Sequence, residues 1–102
     1  MTHINEILQQ LNPKTEHIVI MTTDNELSRE LIHELRVSEG TGEGRVFFRG
    51  DTKISIVSAG DTYDEKVTNY SLLHWAWYNQ PNAKLMGKVQ EWERKATEIL
   101  TR

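Results

Sequence analysis

The strongest constraint on this chain is the run Ile18-Val19-Ile20-Met21, four consecutive apolar residues of which three are β-branched. Pro13 bounds it on one side and Thr22-Thr23-Asp24 on the other. A run so short and so apolar predicts a strand over Glu16 to Thr22 with both faces buried. Neither face of such a strand meets water, so other elements must pack on each side of it. No apolar stretch in the 102 residues is longer than this run, which is far short of a membrane span.

The flanking sequence supplies the covering elements. Ile4, Ile7, Leu8 and Leu11 recur at helical spacing, and Asn12-Pro13 ends that helix. After the strand, Thr23-Asp24-Asn25-Glu26 has the form of a capping box. Leu27, Leu31, Ile32 and Leu35 continue as one stripe, with Arg29, Glu30 and Glu34 on the opposite face, to an end near Val37. Arg45 to Arg49 and Lys53 to Ser58 alternate as paired strands, and Gly50-Asp51 between them has the chemistry of a tight hairpin. Ala59 to Lys66 reads as an acidic loop, Val67 to Asn79 as a helix, and Gln80-Pro81-Asn82 as a break. A last helix, capped by Asn82, then runs nearly to Arg102 with Leu85, Val89, Trp92, Ala96 and Ile99 as a seam.

The expected order is therefore α-β-α-β-β-α-α. It implies an α+β fold in one domain over residues 1–102, with a small three-stranded mixed sheet covered by about four helices. The first strand is central, the second parallel to it and the third antiparallel.

Composition narrows the function classes. Twelve Lys+Arg against 15 Asp+Glu give a formal charge of -3, the wrong sign for a protein that wraps nucleic acid. The sign is unevenly spread, since residues 1–81 carry a net -5 and residues 82–102 a net +2. The absence of cysteine removes disulfides, thiolate metal sites and cysteine nucleophiles, and fits a reducing, cytoplasmic setting. Glu6 and its polar neighbours break any secretion-signal pattern in the first twelve residues.

Gly40-Thr41-Gly42-Glu43-Gly44 is not a phosphate loop, because it follows a helix, precedes a strand and lacks a Gly-Lys-Ser/Thr ending. The better anion candidate is Thr22, Thr23, Asp24 and Asn25, at a strand-to-helix turn, with Arg49 as the cation if the hairpin turn lies at the same sheet edge. Asp24 competes there as the helix's own cap. His3, His17, His33 and His74 show no metal-ligand spacing. Asp61, Asp64 and Glu65 read as a solvated loop in which Asp64 caps the next helix, and no Gly-x-Ser-x-Gly turn exists. No catalytic residue, metal ligand or cofactor is assigned.

The most distinctive stretch is Tyr70 to Tyr78, in which Tyr70, His74, Trp75, Trp77 and Tyr78 are aromatic or imidazole. As a helix it carries more aromatic surface than one neighbour covers, so these residues with Trp92 form a candidate interface, at least one of the tryptophans or Tyr78 being exposed in a lone protomer. Two functional readings result. The first is a small non-enzymatic interaction domain, of the accessory or inhibitory kind found in phages and mobile elements, acting on a protein partner or by self-association. The second is a small-ligand or nucleotide-binding domain using Thr22 to Asn25, with a phosphate-bearing ligand. Neither involves nucleic acid or a membrane.

Overall fold

The computed structural model describes residues 4–39, 44–75, 77 and 81–100, with Asn5 and residues 37–39 described by their backbone alone. Helix α1 (Ile4–Gln10) leads to strand β1 (His17–Thr22) and helix α2 (Asn25–Glu39). Strands β2 (Val46–Arg49) and β3 (Thr52–Ser58) form the hairpin, and β4 (Ser71–His74), helix α3 (Ala83–Lys95) and β5 (Glu98–Leu100) complete the chain. The five strands make one mixed sheet in the order β2-β3-β1-β4-β5.

β1 lies at the centre, paired in parallel with β3 on one side and β4 on the other. Its alternating residues feed two separate cores. Ile18 and Ile20 pack with Ile4, Leu8, Leu31 and Leu35 of α1 and α2, while Val19 and Met21 pack with Val89 and Trp92 of α3. The β1-α2-β3 and β4-α3-β5 crossovers thus run to opposite sides of β1 with helices on opposite faces, the arrangement that right-handed crossovers produce.

Several expectations are corrected. The sheet has five strands and the helices number three among the described residues, in the order α-β-α-β-β-β-α-β. Residues 71–74 form β4, not part of a helix over 67–79. An apolar run that looks hydrophobic all round on a helical wheel equally suits a strand covered on both faces. Leu72 serves the α3 core and Leu73 the α1/α2 core. Asn69, with φ 57°, sits in left-handed backbone just before it and prevents a helix from starting upstream.

The last helix stops at Lys95 because Ala96 turns to extended backbone, and the β-branched residues Thr97 and Ile99 continue into β5. Asn82 does cap that helix, accepting the Leu85 N–H at 3.0 Å. The strand directions also differ: β3 is parallel to β1, and β2 is the antiparallel edge. The hairpin turn stands as expected, with Gly50 at φ 61°, the left-handed conformation that primed two-residue turns require. The α2 cap is Asp24, whose Oδ1 accepts the Leu27 N–H at 2.9 Å, one residue beyond the expected Thr23, so Glu26 closes no capping box.

Among the described residues no helix is long and apolar enough to cross a membrane.

Ile20 is completely buried. An Ile20→Asp substitution should cost more than about 4 kcal/mol, since a carboxylate would be desolvated without a partner, whereas Glu30→Ala on the exposed face of α2 should stay within about 0.5 kcal/mol. Chemical denaturation of both variants checks this pair, and similar midpoints for the two would contradict the central placement of β1.

Candidate functional site

β1 and β3 run in parallel to the same end of the sheet, where Thr22 stands beside Ser58. The core changes character there. Thr22, Ser28 and Ser58 are buried, yet each carries a hydroxyl. They satisfy one another in a chain: Thr22 Oγ1 lies 2.6 Å from Ser28 Oγ, which lies 2.7 Å from Ser58 Oγ. Thr22 also donates to the Asp24 carbonyl at 2.8 Å, and Ser58 lies 2.9 Å from the Asn25 side-chain amide.

The protons of this chain can be counted. Four short contacts link three hydroxyls to the Asp24 carbonyl and the Asn25 amide, and the Asp24 carbonyl only accepts. The Val57 carbonyl, 3.5 Å from Ser28 Oγ, is too distant to compete with them. Thr22 spends its proton on Asp24, Ser58 donates to Asn25 Oδ1 at 2.9 Å, and Ser28 shares its one proton between the Thr22 and Ser58 hydroxyls.

Above the seam lies a cleft of about 270 Å³. Thr23, Asp24 and Asn25 form one wall, Ser58, Gly60 and Asp61 the other, and Leu85 of α3 borders it. Asp61 is held by its own turn: its carboxylate accepts the Ser58 N–H at 2.8 Å and pairs with Arg45 at 3.3 Å. Trp92 Nε1 donates to the Asp61 carbonyl at 3.1 Å, and Lys88 Nζ to the Gly60 carbonyl at 3.1 Å, so α3 fixes the position of this wall.

The structure therefore gathers Thr22 to Asn25 at one point but leaves Arg49 elsewhere. Arg49 pairs with Thr52 at the start of β3, while Thr22 pairs with Ser58 at its end. The six residue steps from Thr52 to Ser58 separate them by about 20 Å at strand rise. A hairpin turn at the same sheet edge would require β2 to be the parallel partner of β1, and that partner is β3. Ser58, Gly60, Asp61 and Leu85 are absent from the sequence candidates for this site. Their only local signal is Ser58-Ala59-Gly60-Asp61, small and polar residues directly after a strand, and the register alone shows which strand ends there.

The aromatic candidates disperse. Tyr70 and Trp92 are core residues, joined by a Tyr70 hydroxyl bond to the Trp92 carbonyl and by edge-on rings 5.9 Å apart. Burial pushes the Tyr70 phenol well above its ordinary pKa. Trp75 and Trp77 are partly buried, and Tyr78 lies outside the described residues. None of the described members of the proposed interface is thus widely exposed in the lone chain. Trp77 Nε1 donates to the Met21 carbonyl at 2.9 Å, and its ring meets His74 edge-on at 4.5 Å.

Asp64 closes a turn by accepting the Lys66 N–H, instead of capping a helix, because residues 65–75 form no helix. Residues 40–43 of the glycine-rich loop and His3 lie outside the described residues. Among the described residues no cluster of three His, Asp or Glu is placed to hold a metal. Compared with protein-family models, with curated proteins and with solved structures, the chain matches none.

Two histidines give the fold a pH dependence. His17 Nε2 lies 2.8 Å from Ser55 Oγ, and burial together with the neighbouring Lys53 charge holds its pKa low. Burial also lowers His74, with Glu93 pulling in the opposite direction. A base with a depressed folded-state pKa takes up protons on unfolding, so its contribution is full above about pH 6.5 and is lost as pH falls below that value. The melting temperature should therefore decline between about pH 7 and pH 5. The slope should flatten in a His17→Gln, His74→Gln double variant. A wild-type melting temperature constant across that interval would contradict this account.

Proposed function

We propose that this chain is a small-ligand-binding domain, and that its ligand presents hydrogen-bond donors (hydroxyls or amines) to the cleft at the carboxyl ends of β1 and β3. The observation that carries the reading is the make-up of the cleft walls: two acidic residues, Asp24 and Asp61, line the same cavity from opposite sides. Clefts beyond the carboxyl ends of parallel strands are the common ligand positions in such sheets. Asn25 also lines the cleft, its side-chain oxygen accepting from Ser58. A phosphate is disfavoured, because Asp24 already accepts from the α2 terminus and Arg49 is at the other end of β3.

Melting curves with millimolar adenosine or glucosamine test this against inorganic phosphate. The donor-rich probes should raise the melting temperature by mass action, and phosphate should not. Asp24→Asn retains a good helix cap, and Asp61→Asn retains an acceptor for the Ser58 N–H, so both variants should fold. Each should bind the active probe about tenfold more weakly, the loss expected when a hydrogen bond to a charged group becomes neutral. A response to phosphate alone, or to none of the three probes, would overturn the reading.

A second reading, association with another protein or with itself, draws on a different observation. The large hydrophobic side chains that remain well exposed among the described residues are Phe48 (49%) and Ile99 (45%), one on each outermost strand. Exposed apolar residues on sheet edges favour contact with other chains. Sedimentation of the wild type and of Phe48→Ser checks it. A concentration-dependent mass that Phe48→Ser abolishes supports the reading, and a wild type monomeric at all concentrations removes it.

A further inference from the structure

The helices change face at β1: α2 covers one side on the way to β3, and α3 the other on the way from β4 to β5. The switch point therefore lies between the carboxyl ends of β1 and β4, where doubly wound sheets open a crevice for ligands. In this chain an indole is already there. The Met21 carbonyl, at the end of β1, accepts the Trp75 N–H at 2.8 Å as the β1–β4 ladder runs out, and its second lone pair accepts Trp77 Nε1 at 2.9 Å. Trp77 lies edge-on against His74 and packs on the α3 core. Met21 is two residues from Thr23, which lines the cleft, so the Met21 carbonyl and the cleft lie at the same end of β1. Unlike Tyr70 and Trp92, Trp77 is only partly buried, so it forfeits less apolar contact on leaving.

We infer that Trp77 is an intramolecular occupant of the switch-point crevice, and that a ligand seated in the adjoining cleft displaces it with a flat heteroaromatic ring bearing an N–H donor. This rests on the cleft reading above and specifies its ligand as a nucleoside-like molecule. The hydroxyls go to Asp24 and Asp61, and a ring amine takes over the Met21 carbonyl. Displacing an internal occupant lowers apparent affinity in proportion to the fraction of molecules that are closed. Weakening the occupant must then tighten ligand binding, whereas removing an ordinary contact residue weakens it.

The test uses adenosine as the aromatic probe and glucosamine as the ring-free one, with the wild type and Trp77→Phe, which keeps a ring but loses the donor. Titrations are followed by calorimetry and by the indole N–H resonances in nitrogen-15 NMR, that of Trp77 being assigned by through-bond correlations in the wild type. Adenosine should shift the Trp77 resonance in the wild type and bind Trp77→Phe about fivefold more tightly, the factor for one lost internal hydrogen bond. Glucosamine should show neither effect. Adenosine binding with an unmoved Trp77 resonance, or with equal or weaker affinity for Trp77→Phe, would overturn the displacement while leaving the cleft reading intact. Binding of glucosamine but not adenosine would do the same. Binding of neither would remove the cleft reading and this inference with it. The wild-type resonances decide the matter even if the variant fails to fold.

Discussion

Everything in this fold depends on β1 being sealed on both faces. Val19, Ile20 and Met21 have no measurable exposure, and each such side chain contributes about 1.5–3 kcal/mol when fully buried. A strand of this kind cannot lie at an edge or face solvent on one side. It therefore requires a partner strand on each flank and a helical layer above and below. β3 and β4 supply the first requirement, while α1 with α2 on one face and α3 on the other supply the second. The switch in helix position at β1 arises from the same requirement. One strand has to be the seam between two crossovers that cover opposite faces.

The apolar run stops at Thr22, and the chemistry available to the molecule begins there. Three buried hydroxyls replace what would be apolar contacts between α2 and the ends of β1 and β3. Buried polar groups are tolerated only when each finds a partner, and a chain of donors and acceptors fixes direction as well as position. Thr22, Ser28 and Ser58 form such a chain, so the α2 terminus is held to β3 in a specific register. Asp24 and Asn25 consequently stand at a fixed place opposite Gly60 and Asp61. Apolar side chains in the same positions would join the elements with less positional specificity.

Much of this is legible in the sequence, but unevenly. β1, α2 and the hairpin can be read because each has a local signature: a β-branched run, an apolar stripe behind a capping residue, and a Gly-Asp turn. β4 reads as a helix because the apolar residues between Tyr70 and Trp77 point in every direction around a helical wheel, and so short a segment has no period to separate helix from strand. β5 has only three residues, and it comes directly after a well-formed helix, so the apparent seam from Leu85 to Ile99 runs through the true helix end at Ala96. The half of the site built from Thr23 to Asn25 lies on a strand-to-helix turn that the sequence marks. The other half, Ser58 to Asp61, depends on β3 pairing with β1 at Thr22, and pairing between distant segments has no local signal.

That dependence also accounts for the fate of the aromatic residues. Clustered in sequence, they suggest an exposed surface, but a strand sends neighbours to opposite faces, and the cluster is divided between environments as soon as residues 71–74 become β4. Tyr70 enters the α3 core with Trp92, and Trp75 packs against the α1/α2 core. Trp77, just past the strand, has left the alternation and caps the end of β1 through the Met21 carbonyl. The residues with most freedom to act are those where strand geometry ends, because inside the sheet both faces are already committed to packing. The hydroxyl seam and the Trp77 cap therefore both sit at the carboxyl end of β1, for the same reason that its middle is silent.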